Sequence, residues 1–453
     1  MFIDTHSHLF YPNFNDDLDE VILRAEQNGV DYIIVPATDL ETSKQTIALC
    51  EKYKIVYGAV GVHPHETKDW NNEQIFHIHQ LAQHNKIIAI GEIGLDYYYD
   101  YSPPQKQIQA FRSQIELALE LNLPVIIHNR DSDSDMMKII SEYCGKGLKA
   151  QFHCFNGSLQ DAFELINMNH FISFTGNITF KNRNDVRLVL EKINLDHILL
   201  ETDSPFMTPA PFRGKRNEPA HVKYVAEKIS DIHKLPVDEV GRITSYNAFR
   251  LFGIGITPGV SYTYPLGKSL YINITNRCNA DCTFCKRKTQ PFINGYNLGM
   301  KKSEEPSAEL YIKEISDPKR YDEIVFCGYG EPTIRWEVVK QIAAYVKSNG
   351  GSTRLNTNGH GNIINHRNIT PEMKGLIDIV SISFNSFDPE QYADLMRLDK
   401  KHFYEMISFA KMAKSFVNKV VMSVVSLDAV EVERSRIVVE NEIGAEFRIR
   451  EYF

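Results

Sequence analysis

Three cysteines stand at Cys278, Cys282 and Cys285 in the stretch NRCNADCTFCKRK. Three thiolates on one short loop can hold three irons of a 4Fe–4S cube and leave the fourth iron open to another ligand. A closed structural zinc site is the competing reading, because zinc takes four ligands and Cys327 offers a fourth thiolate. Far upstream, a different donor set is scattered along the chain: His6 and His8, then Glu92, His128, His153 and Asp203. Residues i and i+2 of an extended segment point the same way, so the first two imidazoles can reach one ion. Four imidazoles and two carboxylates are borderline-to-hard donors that suit Zn²⁺, Mn²⁺ or Mg²⁺. Six donors exceed what one catalytic ion needs. Two neighbouring ions bridged by a carboxylate use them all, and that arrangement suits phosphodiester hydrolysis.

Each donor needs an element to carry it. Apolar, β-branched runs at 1–6, 31–37, 55–61, 86–92, 123–128, 149–154, 171–176 and 197–202 alternate with amphipathic stretches. One of these, 104–121, places Ile108, Phe111, Ile115 and Leu119 at three/four spacing and predicts a helix. Eight strand–helix units in about 250 residues match a (β/α)₈ barrel of the TIM type, whose strands deliver their carboxyl ends to one face. All six upstream donors fall at or just after such ends. An open doubly wound sheet is the alternative, but no Gly-rich dinucleotide fingerprint supports it.

Residues 253–267 (GIGITPGVSYTYPLG) are rich in Gly and Pro and read as a linker between domains at 1–252 and 268–453. A second strand series follows at 269–275, 322–328, 353–359, 378–384, 419–426 and 446–453. Six strands with intervening helices predict an incomplete (β/α)₆ barrel, so the whole chain reads as α/β. The 453 residues are 43% hydrophobic and 24% charged, a globular composition too long for one core. A net charge of −8 is wrong for a protein that coats a long duplex. The start MFIDTHSHLF has neither a basic nor an apolar leader region, and no run is long enough for a membrane span. Seven cysteines in that context predict a reducing, cytoplasmic setting and metal rather than disulfide use.

The stretches DTHSHL, GVHPHE, GEIGLDYY, HCFNGS, ETDSPF and RGKRNEP resemble the TatD family of metal-dependent deoxyribonucleases, among the amidohydrolase-like barrels. The resemblance covers about residues 1–252. It implies that His6, His8 and Asp203 hold one divalent ion, that His128 and His153 hold the other, and that Glu92 bridges them. Asp203 is then the expected base toward water, and His63, with His65, is expected to orient a phosphate oxygen, with the pinning of a loop as the plainer alternative. Arg130, Arg213 and Lys215 are candidate phosphate clamps. Tyr97, Tyr98, Phe155 and Phe206 are candidate stacking surfaces for an unpaired base, each with core packing as the plainer alternative. The expected substrate is the end of single-stranded or frayed DNA or an oligonucleotide, trimmed in 3′–5′ exonuclease fashion. Esters and amides, such as an aminoacyl ester of tRNA, are the alternative substrates for such a barrel.

The cysteine spacing, with Phe284 before the last thiol, resembles the radical SAM superfamily, and FCGYGEPT resembles its GGE motif with Tyr329 in place of one glycine. This resemblance covers about residues 268–453, and the whole architecture resembles the TatD-associated radical SAM proteins joined to a TatD barrel in one chain. It implies a 4Fe–4S cluster, S-adenosylmethionine on its open iron, an external electron donor, and reductive cleavage to a 5′-deoxyadenosyl radical. Gly328, Tyr329, Gly330 and Glu331 are expected around the methionine amino group. Asn356, Asn358, Ser383 and Asn385 are expected near methionine or ribose. Cys327 is expected to pack as a small buried hydrophobe. Cys50, Cys144 and Cys154 are expected to be core or loop thiols. No cysteine follows Cys327, so no auxiliary cluster is expected. A non-catalytic metal and cluster sensor is the remaining alternative to a bifunctional enzyme.

Overall fold

Eight strands carry the first half of the chain: β1 (Phe2–Asp4), β2 (Val30–Pro36), β3 (Val56–Val60), β4 (Ile87–Asp96), β5 (Val125–Arg130), β6 (Ala150–Phe152), β7 (Phe171–Phe174) and β8 (Ile198–Leu200). The computed structural model describes residues 1–255, 259–285, 287, 291–427 and 430–450. Two compact units result, Met1–Thr257 and Pro258–Phe453. In the first, the eight strands pair in sequence order and in parallel. Thr5 N–H donates to Leu200 O at 3.0 Å and Asp203 N–H to His6 O at 2.9 Å, joining the first strand to the eighth. The expected TIM-type barrel is the observed fold.

Its interior is layered. Ile3, Ile34, Ala59, Ala89, Ile126 and Leu199 fill the amino-terminal end, where Leu251 and Phe252 of the helix Val237–Phe252 pack against them. Above this lies a buried polar layer. Gln151 Nε2 donates to Thr5 Oγ1 (2.8 Å), Ser173 Oγ (2.9 Å) and Glu201 Oε2 (2.9 Å). The mouth opens above that layer. The expected helix spans Pro104–Leu121 and buries Phe111 and Ile115 against the strands. Two of its glutamines hold loops of the mouth. Gln114 Oε1 accepts from Val62 N at 2.7 Å, just before His63, and Gln107 Oε1 accepts from Asp96 N at 2.8 Å.

The second unit holds β9 (Thr263–Leu266), β10 (Ser269–Asn273), a two-residue ribbon of β11 (Phe292–Ile293) with β12 (Tyr296–Asn297), β13 (Glu323–Cys327), β14 (Thr353–Thr357), β15 (Ile379–Ser383), β16 (Lys419–Val425) and β17 (Glu446–Arg450). The main sheet runs β17-β16-β15-β14-β13-β10-β9. Strands β10 and β13–β17 are parallel, as a partial (β/α)₆ barrel requires. Residues 451–453 of the expected last strand lie outside the described residues.

The linker expectation needs correction. Residues 256–258 lie outside the described residues, but Thr263–Leu266 is β9, antiparallel on β10. The reason is alternation hidden by the Gly/Pro count. Tyr264 is 1% exposed and packs on Tyr271 and Tyr296, so this segment has a buried face and therefore a fixed register. Among the described residues, no helix is long and apolar enough to cross a membrane.

Candidate functional site

Strand ends bring the upstream donors together. His6 and His8 follow β1, Glu92 lies in β4, His128 in β5, His153 follows β6 and Asp203 follows β8. Glu92 sits between two groups of nitrogens. Its Oε2 lies 3.3 Å from His6 Nε2 and 3.5 Å from His8 Nε2. Its Oε1 lies 2.8 Å from His153 Nε2, 3.0 Å from His128 Nδ1 and 3.5 Å from His63 Nε2. Asp203 Oδ1 joins the first group, 3.5 Å from His8 Nε2 and 3.9 Å from His6 Nε2.

The hydrogen bonds behind these rings fix which nitrogen faces the site. His8 Nδ1 is 3.1 Å from Pro36 O, which can only accept, so Nδ1 carries the proton and the Nε2 lone pair faces inward. His128 Nε2 is 2.9 Å from Asp96 Oδ2, so its Nδ1 lone pair faces inward. His6 and His8 Nε2 are 3.1 Å apart, as are His128 Nδ1 and His153 Nε2. Pairs of inward lone pairs at this separation repel unless a proton or cation lies between them. That makes the donor set fit divalent cations in type and in arrangement.

The charges agree. Burial alone would raise the Glu92 pKa, but His153, His6 and His63 around it hold its carboxyl well below the usual range. Burial likewise opposes ionisation of Asp203, and the hydrogen bond to His8 with the neighbouring His6 and His153 outweighs that. His6 is pushed down to about 3 by burial and by His153, which keeps it neutral. Burial drives His63 down to about 4. Asp203 has left-handed backbone (φ 52°), which Asp tolerates better than most residues. Gly94 lies at φ +142°, and a Cβ there would sit 2.0 Å from His128 O, so only glycine lets β4 approach the His128 backbone this closely.

Three acidic residues that sequence reasoning left without a role surround the donors. Asp96 Oδ2 lies 2.9 Å from both His65 Nε2 and His128 Nε2, while its Oδ1 accepts from Tyr98 N (3.0 Å) and Tyr99 N (3.1 Å). Glu201 accepts from Cys154 N and Ser173 Oγ behind His153, and Asp4 accepts from Thr202 N and Oγ1 behind Asp203. A carboxylate within an otherwise apolar strand run was the available signal, since burying one without donors is costly.

The donors open into a cavity of about 720 Å³. Arg130 lines it and stacks on Tyr98, its guanidinium carbon 3.9 Å from the ring centroid. Phe155 and Phe206 also line it, the first buried and the second exposed. Tyr97 does not present a free ring edge there, because its hydroxyl donates to Asp135 Oδ2 at 2.8 Å. Arg213 stacks on Phe180 at 3.7 Å, and neither it nor Lys215 lines the cavity.

In the second unit, Cys278, Cys282 and Cys285 are free, half-buried thiols on the loop after β10. Burial pushes Cys282 up to about 12, and the neighbouring Cys278 and Cys285 add to the rise. Three half-buried thiols on one loop suit an iron group in donor type. The GYGE segment packs against the base of that loop. Gly330 N donates to Thr275 O (2.9 Å) and Glu331 N to Arg277 O (2.8 Å). A Cβ on Gly330 would meet Arg277 O at 2.2 Å. Gly328 lies at φ +122°, and the Tyr329 hydroxyl donates to Phe292 O at 3.2 Å.

Glu331 is 2% exposed and already braced. Its Oε1 accepts from Thr333 N (3.0 Å), Thr333 Oγ1 (2.6 Å) and Thr357 Oγ1 (2.8 Å), and its Oε2 from Asn358 N (2.7 Å). It therefore ties the end of β13 to that of β14. Asn356 Nδ2 lies 3.7 Å from Cys327 Sγ, and Cys327 is half-buried rather than fully packed away. Ser383 Oγ and Asn385 Oδ1 both accept from Arg450. Cys50 and Cys154 are buried and Cys144 is exposed.

Residues 3–253 match the family model for TatD-related DNase, and residues 272–431 match the model for the radical SAM superfamily. A Bacillus subtilis protein described as the uncharacterized metal-dependent hydrolase YabD is 45% identical over 254 residues, spanning 56% of this chain and 100% of its own. The protein of Pectobacterium parmentieri described as 3′-5′ ssDNA/RNA exonuclease TatD is 32% identical over 255 residues, spanning 55% of this chain and 98% of its own. The crystal structure of the TatD homologue YjjV from Escherichia coli superposes with a TM-score of 0.54 at 32% identity, over 56% of this chain and 98% of that one. A TatD-family hydrolase from Entamoeba histolytica gives a TM-score of 0.51 at 26% identity, over 55% of this chain and 97% of that one.

Proposed function

The chain belongs to the TatD-related DNase family, and on that premise we propose that its first unit trims single-stranded or frayed DNA from the 3′ end. A radical SAM domain follows the metal-dependent hydrolase domain in the sequence, and in this reading the polypeptide is a bifunctional enzyme. The observation that carries the hydrolase reading is the division of Glu92. One carboxylate oxygen faces His6 and His8, and the other faces His128 and His153.

In this reading His6, His8, Asp203 and Glu92 would hold one divalent cation, and His128, His153 and Glu92 would hold the other. Such cations supply Lewis acidity and make water easier to deprotonate. Asp203 stays ionised at neutral pH and accepts the proton. His63 stays neutral and offers its Nε2 edge to a phosphate oxygen. Arg130, held by Tyr98, supplies positive charge at the rim, and the exposed rings of Tyr98 and Phe206 offer stacking faces to an unpaired base. A cavity lined by only two arginines, Arg130 and Arg183, suits a strand end over the middle of a duplex. The 3′ polarity is carried over from the exonuclease relative.

For the second unit, Cys278, Cys282 and Cys285 would hold the cluster, with S-adenosylmethionine beside the GYGE segment and an external electron donor. The cluster and cofactor supply one-electron chemistry when bound. The chain's own part is to hold the loop against Gly330.

The test uses the full chain, handled without oxygen, with 5′- and 3′-labelled single-stranded oligodeoxynucleotides and each of Mg²⁺, Mn²⁺ and Zn²⁺. The expected product is a ladder shortening from the 3′ end, lost in Glu92→Gln and Asp203→Asn. Internal cuts, or turnover of aminoacyl esters with intact oligonucleotides, would refute the reading. In parallel, S-adenosylmethionine and a reductant are expected to yield 5′-deoxyadenosine, and Cys282→Ala to yield none.

A further inference from the structure

Strand β17 lies beyond the residues that the radical SAM family model matches, which end at 431. Phe447 of this strand packs into the core between sheet and helices. Alternation then puts Arg448 and Arg450 on the opposite, concave face of the sheet. Arg450 is half-buried there and reaches the carboxyl end of β15. Its Nη2 donates to Ser383 Oγ and to Asn385 Oδ1, both at 3.2 Å. These acceptors are neutral. Its Nε is buried and has no partner. Among the described residues, no carboxylate pairs with Arg448 or Arg450. Arg448 is exposed and adds a second positive charge on the same face.

A third arginine of the sheet shows what is missing. Arg354 of β14 is neutralised by Glu323 at 2.8 Å and also donates to Tyr271 Oη at 3.1 Å. The paired arginine belongs to the structure, whereas the guanidinium at the strand ends carries a charge with no counter-ion among the described residues. Burying such a charge unpaired is costly, and the planar fork of Arg matches carboxylate and phosphate. Burial holds the Arg450 pKa below the ordinary guanidinium value, and Arg448 lowers it further. On the same face, Asn356 has a buried Oδ1 without a partner, a second unfilled polar position.

We propose that Arg450, with Arg448 beside it, is an oxyanion anchor that takes a carboxylate or phosphate group of the molecule bound on the concave face of the second unit. The proposal rests on the radical SAM domain and is independent of the hydrolase reading. The anion has two possible sources, the carboxylate of S-adenosylmethionine or a phosphate of the radical substrate.

The experiment measures equilibrium binding to the reconstituted full chain under anaerobic conditions. One probe is S-adenosylmethionine, which has a carboxylate and no phosphate. The other is deoxyadenosine 5′-monophosphate, which has a phosphate and no carboxylate. Binding of the nucleotide at the first unit is common to parent and variant and cancels. Arg450→Gln is expected to weaken one probe by about tenfold or more, the effect of losing a charged hydrogen bond, and Arg450→Lys to restore part of it. Loss for S-adenosylmethionine assigns the cofactor carboxylate, and loss for the nucleotide assigns a substrate phosphate. Both affinities unchanged, with iron content and circular dichroism intact, would overturn the proposal. So would a shift confined to the cluster's electron paramagnetic resonance signal, which would make Arg450 a counter-ion of the cluster. Should Arg450→Gln fail to fold, exposed Arg448→Gln must weaken the same probe by about threefold, and no change there also overturns it.

Discussion

Replacing Asp96 by Asn changes one atom in a side chain that touches no candidate ligand nitrogen facing the cavity. Asp96 Oδ1 accepts two backbone N–H groups, from Tyr98 and Tyr99, and Oδ2 takes His128 Nε2 and His65 Nε2 at 2.9 Å each. In the variant the carbonyl oxygen keeps the backbone donors, so the amide nitrogen replaces Oδ2. An amide N–H cannot accept from His128 Nε2. It donates instead, which moves the His128 proton to Nδ1 and blocks the lone pair aimed at the Glu92 and His153 side of the centre. Partners of this kind behind metal-ligating histidines are worth 10–100-fold in metal affinity, or about 1.4–2.8 kcal/mol. The fold should survive, because Gln107 holds the Asp96 backbone at both N (2.8 Å) and O (2.9 Å) whatever the side chain. Metal binding followed by competition with a chelator, alongside nuclease rate against metal concentration, is the assay. The expected result is a 10–100-fold rightward shift, with much of the rate recovered at saturating metal and little change in melting temperature. Affinity equal to the parent's, or a loss of rate that excess metal leaves untouched, would refute the tautomer argument.

Further outcomes follow from the same geometry. In the metal-free protein, burial opposes a charge on His153, but Glu92 overrides it and carries the pKa up to about 9. Metal must displace that proton, so affinity should rise from pH 6 to 9 with proton release, seen by calorimetry in buffers of different ionisation enthalpy; a flat profile contradicts it. Gly330→Ala pushes a methyl group against Arg277 O and Thr275 O, backbone atoms that cannot swing away. Iron incorporation should fall steeply and stability by ~1–3 kcal/mol, and full iron content in this variant would show that the packing is not needed. Glu331→Gln replaces one acceptor oxygen by an amide nitrogen, which faces hydrogen-bond donors that this oxygen satisfied. Chemical denaturation should register a loss of ~1–3 kcal/mol, and unchanged stability would mean that the brace between β13 and β14 is dispensable.

The periodicity of 104–121 gave its helix to the residue, because an amphipathic face that must be buried is written locally in the spacing of Ile108, Phe111, Ile115 and Leu119. Strand 263–266 was hidden, since its identity depends on Tyr271 and Tyr296 lying opposite. Tyr97 looked like a base-stacking ring until Asp135 was found holding its hydroxyl. Asp96, Glu201 and Asp4 were visible as acidic residues in apolar runs but had no role, because the partners that give them one are distant along the chain.

What the amino-acid order determined by itself was the chemistry on offer: hard and borderline donors after barrel strands, three thiols on one loop, and two α/β units to carry them. Side-chain type and short-range spacing are local properties. What only the tertiary structure decided was direction. It set which oxygen of Glu92 faces which imidazole, which ring nitrogen of His8 and His128 keeps its lone pair, that Glu331 is spent on Thr333, Thr357 and Asn358, and that Arg450 meets no carboxylate among the described residues. Hydrogen bonds and charges act over a few ångströms in space, and residues far apart in sequence meet at that range only after the sheet has closed.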